Sequence, residues 1–359
     1  DGNVRIFDPV AAGKALVVLE IGDEMTALEV FKDPAMGAPW LACGSGEYNK
    51  NNGKVRVFDP VAGGDALFVL DIGNWVNVLA VFKEPATGAL RLACGTGELG
   101  KEIGDVRIFD AVSGGDALIL LDDVGDTNAL VAFKDLATGA RRRGGGSHGG
   151  EVRGYDPVAG GAALVVLEGH TRRVMALTAF TDPATGEQRL VSASHDGTVR
   201  VWNPAAGGAA IEAEPEGHSG DVRALVTFVD PVTGALRVVT GSGDGIRVWD
   251  AETGGSLFVI AVGLKVLALA FFVDPETGAP RLACGCDDKK VRIYDPVAGG
   301  EALVVLEGHT DYVRTLTVFE DPATGGLRLA SGSDDRSVRI WDLAAGGAAL
   351  LVLKGHTGW

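Results

Sequence analysis

A five-residue pattern recurs eight times in this chain, and its spacing limits the possible folds more than any other feature. The copies are Val4–Asp8, Val55–Asp59, Val106–Asp110, Val152–Asp156, Val199–Asn203, Ile246–Asp250, Val291–Asp295 and Val338–Asp342. Successive copies begin 51, 51, 46, 47, 47, 45 and 47 residues apart. A period in this range indicates one supersecondary unit that is repeated along the chain. Such units do not bury their apolar faces alone, so the sequence predicts that they stack on one another.

Each repeat is predicted to form four short antiparallel strands. In the last full repeat, Tyr312–Phe319 alternates in polarity and is rich in Val, Leu and Thr, which is typical of a strand. Leu327–Ser333, Ser337–Asp342 and Ala349–Leu353 are predicted as the next three strands, with turn residues between them. Few residues in these strands are charged, so we expect neighbouring sheets to cover both faces of each sheet.

The first strand of every repeat keeps a leucine, followed by a closing phenylalanine. The leucines are Leu28, Leu79, Leu130, Leu177, Leu225, Leu269 and Leu316. Their constancy predicts core side chains between adjacent sheets, where a Leu→Ala change costs about 2–5 kcal/mol. The weakest repeat is expected around 141–150, because Arg142-Arg143-Gly144-Gly145-Gly146 replaces the usual apolar second strand. Glycine leaves nothing to pack there, so a loosely ordered strand is predicted.

The composition is that of a folded, water-soluble protein, with 46% apolar and 22% charged residues among 359. The net charge of −16 disfavours a nucleic-acid partner, because such binding depends on Lys and Arg neutralising phosphates. No stretch approaches about 18 consecutive apolar residues, so no membrane span is predicted.

The four cysteines, Cys43, Cys94, Cys284 and Cys286, are predicted to be reduced thiols of an intracellular protein. Three of them occupy one repeat position, and equivalent positions on different units are poorly placed for a disulfide. Metal binding by Cys284 and Cys286 is disfavoured because no His or second Cys pair lies nearby. No signal peptide opens the sequence, which favours a cytoplasmic location with the organelle left open.

Dipeptides near both ends of the repeat carry a family resemblance. Gly308-His309, followed about thirty residues later by Trp341-Asp342, resembles the WD-repeat (WD40) β-propeller family. Gly169-His170 with Trp202-Asn203, and Gly217-His218 with Trp249-Asp250, repeat the pair. The resemblance implies an all-β, WD40-type β-propeller of four-stranded antiparallel blades in a single domain, 1–359.

The implied propeller has seven complete repeats and an N-terminal half repeat. The expected boundaries are 1–20 for the half repeat, then 21–70, 71–121, 122–167, 168–213, 214–260, 261–306 and 307–353, with 354–359 opening a further repeat. An eight-bladed ring is favoured slightly over a seven-bladed one. A ring of seven with a surplus outer strand pair and a fragment of a longer repeat tract remain open alternatives.

The resemblance also implies a structural tetrad of His, Ser or Thr, Asp and Trp in three repeats. The sets are His170, Ser192, Asp196 and Trp202; His218, Thr240, Asp244 and Trp249; and His309, Ser331, Asp335 and Trp341. Such donors and acceptors satisfy one another in a buried chain of hydrogen bonds. A catalytic triad of the same residue types is the disfavoured alternative, because the set recurs and the hydroxyl is predicted inside a strand.

The residue just before each first strand varies most between repeats. It reads Glu24, Trp75, Asp126, Arg173, Asp221, Lys265, Tyr312 and Trp359. In the resembled family this position lies on the narrower face, near the mouth of the central channel, and aromatic and cationic residues there are typical of interface anchors. Two longer loops, 47–52 with Tyr48, Asn49 and Lys50 and 98–102, are implied to lie on the same face. Unconstrained drift of loop tips is the alternative explanation for both.

The resemblance implies a non-enzymatic scaffold for protein–protein interaction, acting as a subunit or docking platform of a larger assembly. Protein partners are expected, without identity, and no cofactor, catalytic residue or metal site is predicted. One alternative is a substrate-recognition subunit such as a ubiquitin-ligase receptor. Another is a propeller hydrolase or metal-dependent enzyme, which would need carboxylates or histidines converging near the axis.

Overall fold

The computed structural model describes residues 2–11, 13–47, 50–84, 87–97, 104–121, 126–134, 141–182, 185–208, 210, 217–322, 324–343 and 346–358. Within these ranges the chain forms 29 strands and no helix.

The strands are named in chain order. They are β1 (Asn3–Ile6), β2 (Val17–Glu20), β3 (Met25–Lys32), β4 (Pro39–Ser45), β5 (Gly53–Phe58), β6 (Phe68–Gly73), β7 (Trp75–Lys83), β8 (Leu90–Gly97), β9 (Val106–Asp110), β10 (Gly114–Leu121), β11 (Thr127–Lys134), β12 (Arg141–Ser147), β13 (Val152–Tyr155), β14 (Val165–Leu167), β15 (Val174–Thr181), β16 (Gln188–Ser194), β17 (Val199–Trp202), β18 (Ala224–Val229), β19 (Leu236–Ser242), β20 (Gly245–Asp250), β21 (Ser256–Ile260), β22 (Val266–Val273), β23 (Pro280–Cys286), β24 (Val291–Tyr294), β25 (Val304–Leu306), β26 (Val313–Glu320), β27 (Leu327–Ser333), β28 (Ser337–Asp342) and β29 (Leu351–Lys354).

Strands that follow one another in the chain pair to form eight sheets in the described ranges. The four-stranded sheets are β3–β6, β7–β10, β11–β14, β18–β21, β22–β25 and β26–β29, while β15–β17 has three strands and β1–β2 has two. The prediction of four antiparallel strands per repeat is confirmed in the six four-stranded sheets. Eight sheets agree with the eight-repeat arrangement, and β1–β2 is the expected N-terminal half repeat.

The chain divides into two compact units. Unit 1 comprises Asp1–Ile6, Val17–Ser192 and Trp202–Ala210, and unit 2 comprises Phe7–Leu16, Ala193–Val201 and Ile211–Trp359. Each unit has its own apolar core between stacked sheets. In unit 1, Leu79 and Leu92 belong to the same core cluster as Phe31 of the preceding sheet. In unit 2, the rings of Phe228 and Phe271 stack with centroids 4.9 Å apart.

A glycine in the second strand lets the next sheet approach closely. A Cβ atom on Gly44 would lie 2.5 Å from Cγ1 of Val76, and one on Gly241 would lie 2.5 Å from Cγ1 of Val266. Gly146 holds the same position, with Cγ1 of Val174 at 2.6 Å from its would-be Cβ. Close backbone approach is a recognised reason for glycine in a strand.

The glycine-rich second strand at 141–147 differs from the loosely ordered strand predicted, because its glycines allow the next sheet to approach closely. Instead of a loosely ordered segment, the structure contains β12, which pairs in register with both β11 and β13. Its glycines from 144 to 146 are buried, and the neighbouring sheet supplies the side chain that fills the space.

The first-strand leucine is not a core residue in every repeat. Leu79 is 6% exposed and Leu269 is 9% exposed, as predicted, but Leu28 is 47% exposed. The sheet that precedes β3 consists of β1 and β2 alone in the described ranges, and these are the counterparts of third and fourth strands. The prediction was therefore wrong for Leu28, because the described residues include no first or second strand of a preceding sheet that would cover this part of β3.

Candidate partner-binding surfaces and the buried tetrads

The tetrad of the last repeat forms a continuous chain of hydrogen bonds in unit 2. The indole Nε1–H of Trp341 donates to Oγ of Ser331 at 2.8 Å, and that Oγ lies 2.7 Å from Nε2 of His309. Nδ1 of His309 lies 2.8 Å from Oδ2 of Asp335. The sequence brings these groups together because Ser331 and Trp341 lie on paired strands, β27 and β28.

The tetrad of the β18–β21 sheet has the same geometry. Nε1–H of Trp249 donates to Oγ1 of Thr240 at 2.7 Å, and Nε2 of His218 lies 2.8 Å from the same oxygen. Nδ1 of His218 contacts a carboxylate oxygen of Asp244. The hydroxyl-bearing strand is again the neighbour of the tryptophan strand.

Three members of the remaining set meet in unit 1. Nε1–H of Trp202 donates to Oγ of Ser192 at 2.7 Å, which also lies 2.7 Å from Nε2 of His170. Asp196 belongs to unit 2, where its Oδ1 accepts hydrogen bonds from the hydroxyl and the backbone N–H of Thr198.

The electrostatics of the His218 and His309 tetrads select one proton arrangement. Burial lowers the pKa of His218 and of His309 and outweighs the opposing effect of Asp244 and Asp335, so the imidazoles are neutral. Burial acts to raise the pKa of Asp335, but hydrogen bonds from Ser337, from the N–H of Thr310 and from His309 lower it to about 2. A neutral histidine with its proton on Nδ1 donates to the carboxylate and accepts at Nε2 from the hydroxyl.

This arrangement braces the sheet and is unsuited to nucleophilic catalysis. Ser192, Thr240 and Ser331 are each 0% exposed, and an indole N–H donates to each hydroxyl oxygen. A nucleophile must reach its substrate, which these oxygens do not. Within the described part of the chain, no group of three or more His, Cys, Asp or Glu side chains is placed to hold a metal ion.

The variable residue before the first strand is fixed through its backbone. The carbonyl oxygen of Tyr312 accepts from the N–H of Asp334 at 3.0 Å, and that of Lys265 accepts from the N–H of Asp287 at 3.1 Å. The carbonyl of Glu24 accepts from Gly46 in the same way, at 3.0 Å. Since any residue supplies this carbonyl, the bond leaves the side chain at the position free to differ between repeats.

In unit 1 the predicted set includes exposed, half-buried and undescribed residues. Glu24 and Lys50 are exposed, whereas Trp75 is half-buried. Lys50 pairs with Glu47, which also accepts from Nδ2 of Asn52 at 3.2 Å, so the ends of this loop are tied together. Tyr48, Asn49 and the 98–102 loop lie outside the described residues, as does Trp359 of unit 2.

Asp126 lies inside unit 1, contrary to the exposed position expected of a partner-binding residue. It is 1% exposed, and its carboxylate contacts Nδ2 of Asn77 at 2.5 Å and the guanidinium of Arg173 at 3.4 Å. Nε of Arg173 donates to Nδ1 of His148 at 2.8 Å. Two residues of the predicted set are thus joined in one network, and the Asp126 side chain is removed from the surface.

Glycine at position 97 makes room for this network. A Cβ atom there would lie 1.8 Å from Oδ1 of Asp126. Burial is the main influence on the pKa of Asp126 and raises it, despite the nearby Arg173 and the hydrogen bond from Asn77. Its surroundings therefore disfavour the charged form of Asp126, whereas the lowered pKa values of Asp244 and Asp335 show that theirs favour it.

In unit 2, the predicted residue Tyr312 lies beside a pair of oppositely charged side chains. Tyr312 is 42% exposed, and the guanidinium carbon of Arg314 lies 5.3 Å from its ring centroid. Arg314 also donates from Nε to Asp334 at 2.9 and 3.1 Å. We name these three residues the Tyr312–Arg314 surface. Lys265 is exposed and Asp221 half-buried in the same unit.

A groove of about 620 Å³ adjoins the Tyr312–Arg314 surface. Its lining includes Arg314, Ser333, Asp334, Arg336 and His356. Arg336 is exposed and has a φ of 68°, where the corresponding Gly197 has 83°. A non-glycine residue in this conformation is uncommon and is an observation that favours a functional reason for the side chain.

Sequence reasoning missed Arg314 and Arg336. Arg314 lies within the first strand and not before it, so a comparison limited to the variable position passed over it. Arg336 carried a usable signal, since it replaces the glycine that Gly197 supplies at the same turn. The positive φ of Arg336 has a steric cost, and its exposed side chain gives no packing in return. Residues that break a local rule in this way are expected at functional sites.

The two kinds of buried aspartate should respond differently to neutralisation. We expect Asp335→Asn to lower the free energy of unfolding by about 1–3 kcal/mol at pH 7, because it loses a charged acceptor of several hydrogen bonds. Asp126→Asn should change it by less than about 1 kcal/mol, because the charge it removes is disfavoured by burial. Urea titrations of both variants test this, and equal losses would show that the Asp126 network stabilises the fold as strongly as the tetrad does.

Stability should fall on mild acidification. His218 and His309 have folded-state pKa values below the ordinary 6.5, so their contribution is complete above that pH and is lost as the pH falls through 6.5 toward the folded values. We expect the urea midpoint to decrease between pH 7.5 and pH 5.5, with a smaller decrease in His309→Gln. An identical pH dependence in the variant would assign the effect to other groups.

Two segments of the chain match a model of a known protein family. A family model described as WD domain, G-beta repeat matches residues 161–203 and 300–342. Each segment contains one of the predicted sets of His, Ser, Asp and Trp. None of the curated proteins compared with the chain matches it.

Solved structures resemble the chain along most of its length. Sqt1 from Chaetomium thermophilum aligns with a TM-score of 0.71 at 19% identity, over 94% of this chain and 88% of that chain. The Chaetomium thermophilum Sqt1 bound to the N-terminus of the ribosomal protein L10 gives 0.69 at 20% identity, over 94% and 89%. The WD40 β-propeller domain of Doa1 gives 0.50 at 21% identity, over 74% and 79%. At these identities the likeness is one of fold. Across the described residues, no helix has the length and apolar character required to cross a membrane.

Proposed function

Because this chain has the WD40 β-propeller fold and carries WD repeats at 161–203 and 300–342, we propose that it is a scaffold that binds other proteins within a larger assembly. The Tyr312–Arg314 surface is one of its docking sites. The observation that carries the proposal is an exposed aromatic ring stacked with an arginine beside an open groove. Tyr and Arg are enriched among the residues that supply most of the binding energy at protein interfaces.

Exposed cations of unit 2 suit a partner segment with acidic side chains. Arg336 and Lys289 are both exposed and both keep a positive φ, of 68° and 75°. Lys265, at the variable position, is a third exposed cation in unit 2. These cations stand out in a chain whose net charge is −16, and complementary charge speeds association and selects partners.

A solved structure of the same fold gives a general precedent for binding a protein segment. One of them is Sqt1 bound to the N-terminus of a ribosomal protein, which is a protein segment held by a propeller of the same fold. All four cysteines of this chain are free and buried, which supports a reducing, intracellular location. No specific observation favours a ubiquitin-ligase role or an enzymatic one.

A binding comparison of variants tests the docking site. Partners captured on the immobilised chain would be purified and titrated against the wild type, Tyr312→Ala and Arg314→Glu. We expect at least one partner to lose about 30-fold or more in affinity with each variant, as for an interface hot spot. Val232→Asp is the matched control, since Val232 is an 83% exposed residue of a unit 2 turn. Unchanged affinity of every partner for both variants would refute the site.

A further inference from the structure

Two thiol groups lie side by side in β23. Cys284 and Cys286 are two residues apart on this strand, and their Sγ atoms are 3.7 Å apart. Both are free thiols and both are 0% exposed. Side chains two residues apart stand on the same face of a strand, with Cα atoms about 6.6 Å apart. A disulfide spans such a separation, close to its upper limit, so the two sulfurs can be joined without unpairing the strand.

The thiol pair occurs in one of the seven copies of the second strand. The position of Cys286 holds a hydroxyl in every other copy, as Ser45, Thr96, Ser147, Ser194, Ser242 and Ser333. The position of Cys284 is a cysteine twice more, at Cys43 and Cys94, and the residue two positions on is then Ser45 or Thr96. Packing at the Cys286 position therefore does not require sulfur, and β23 is the copy in which a cysteine has a second cysteine beside it.

The surroundings make the two thiols chemically different. Arg292 lies opposite Cys284 on β24 and is held by Asp288, with Nη2 2.6 Å from Oδ2. A hydrogen bond from the Cys284 thiol lowers the pKa of Cys286, burial opposes this effect, and the charge of Arg292 adds to it. The same hydrogen bond, together with burial, raises the pKa of Cys284. Cys286 is therefore the stronger acid of the pair, and its thiolate is the nucleophile.

Cys286 lies where β23 meets a surface turn. Its N–H donates to the carbonyl of Lys290 at 3.2 Å, and its carbonyl accepts from the N–H of Lys289 at 3.3 Å, so both bonds are long. Lys289 is exposed and has a φ of 75°, a conformation that is strained for a residue other than glycine. A turn with long hydrogen bonds and a strained residue opens locally at low free energy, which gives a small oxidant access to the buried sulfur.

We infer that Cys284 and Cys286 are a site of reversible oxidation, at which a peroxide converts the two thiols to a disulfide within the strand. The Cys286 thiolate attacks one oxygen of hydrogen peroxide, the O–O bond breaks, and a sulfenic acid and hydroxide form. The sulfur of Cys284 then attacks the sulfenic sulfur, the S–S bond forms, and the departing hydroxide leaves as water with the Cys284 proton. The first hydroxide takes up the proton that Cys286 released. Two thiols and one peroxide thus give one disulfide and two waters.

A metal ion fits this thiol pair less well than a disulfide does. The described residues place no third His, Cys, Asp or Glu side chain with the two sulfurs, and structural sites for soft metals use more ligands. The guanidinium of Arg292 also disfavours a cation beside Cys286. Since the Cα separation is near the limit for a disulfide, the bridge is strained and is reduced readily by a thiol, which makes the oxidation reversible.

Peptide mapping of the full chain tests the site. Trypsin releases Cys284 and Cys286 together in the peptide 282–289, while Cys43 and Cys94 fall in other peptides. The reduced, folded chain is treated with hydrogen peroxide, then unfolded and alkylated. We expect the peptide 282–289 to lose two hydrogen atoms and to escape alkylation, and to be alkylated again after reduction with dithiothreitol.

Cys43 and Cys94 are internal controls for this experiment. Both are 0% exposed, and burial raises the pKa of each. Neither has a second thiol two residues on, so both should remain available for alkylation. Oxidation of these cysteines at the same rate as Cys284 and Cys286 would overturn the inference, because it would mean that peroxide acts on the unfolded chain.

Serine variants assign the two roles. Cys284→Ser should leave Cys286 as a sulfenic acid that a cyclic diketone probe traps, whereas Cys286→Ser should leave Cys284 reduced. The β26–β29 sheet carries Ser331 and Ser333 at these two positions, so both variants should fold. Full alkylation of both cysteines in the peroxide-treated wild type would refute the site.

Discussion

Replacement of Trp341 by alanine is expected to lower the free energy of unfolding by about 3–5 kcal/mol. Trp341 is 1% exposed and packs in a core cluster with Val313 and Leu329 of unit 2. Its removal leaves a cavity between two sheets and takes the indole donor away from Ser331. Because sheets of a repeat protein can unfold separately, urea denaturation should be read together with amide exchange in β26–β29.

Trp341→Phe is the matched control for this prediction. The phenyl ring keeps much of the packing but has no N–H, so we expect a smaller loss of about 1–2 kcal/mol. The chain itself uses Phe58, Phe109, Tyr155 and Tyr294 at the same repeat position, which shows that the fold accommodates such rings there. A phenylalanine variant as unstable as the alanine variant would mean that the hydrogen-bonded chain, and not the packing, dominates.

The repeat architecture was predictable because it depends on local sequence. Alternating apolar residues define a strand wherever it lies, and Gly and Pro define the turns, so eight repetitions of one pattern gave eight sheets. The residue types of the tetrads were also sufficient to anticipate their hydrogen bonds, because each donor has one suitable acceptor. In two repeats all four groups meet as the resemblance implied.

Burial at individual positions was less predictable, because it depends on which neighbour is present. Asp126 occupies the same repeat position as Tyr312, yet the first is 1% and the second 42% exposed. The difference comes from Gly97 and Asn77, which lie far from Asp126 in sequence and provide a space and a donor. A comparison of repeats finds the variable position but does not reveal these partners.

The leucine position of the first strand gives the second large effect. Leu79→Ala should lower the free energy of unfolding by about 2–5 kcal/mol, since Leu79 is 6% exposed within the largest described core cluster of unit 1. Its side chain fills the space between β7 and the preceding sheet, so truncation removes contacts on both sides. The urea midpoint of the purified variant measures the loss, and an unchanged slope of the transition would show that the denatured state is unaltered.

Leu28→Ala is the matched control, because Leu28 is the residue at the equivalent position of β3. It is 47% exposed, so less of its apolar area leaves water on folding than for Leu79, and its truncation opens toward solvent instead of leaving an enclosed cavity. We expect a loss below about 1 kcal/mol, several times smaller than that of Leu79→Ala, from the identical chemical change. Equal losses would mean that the β3 face is covered in solution.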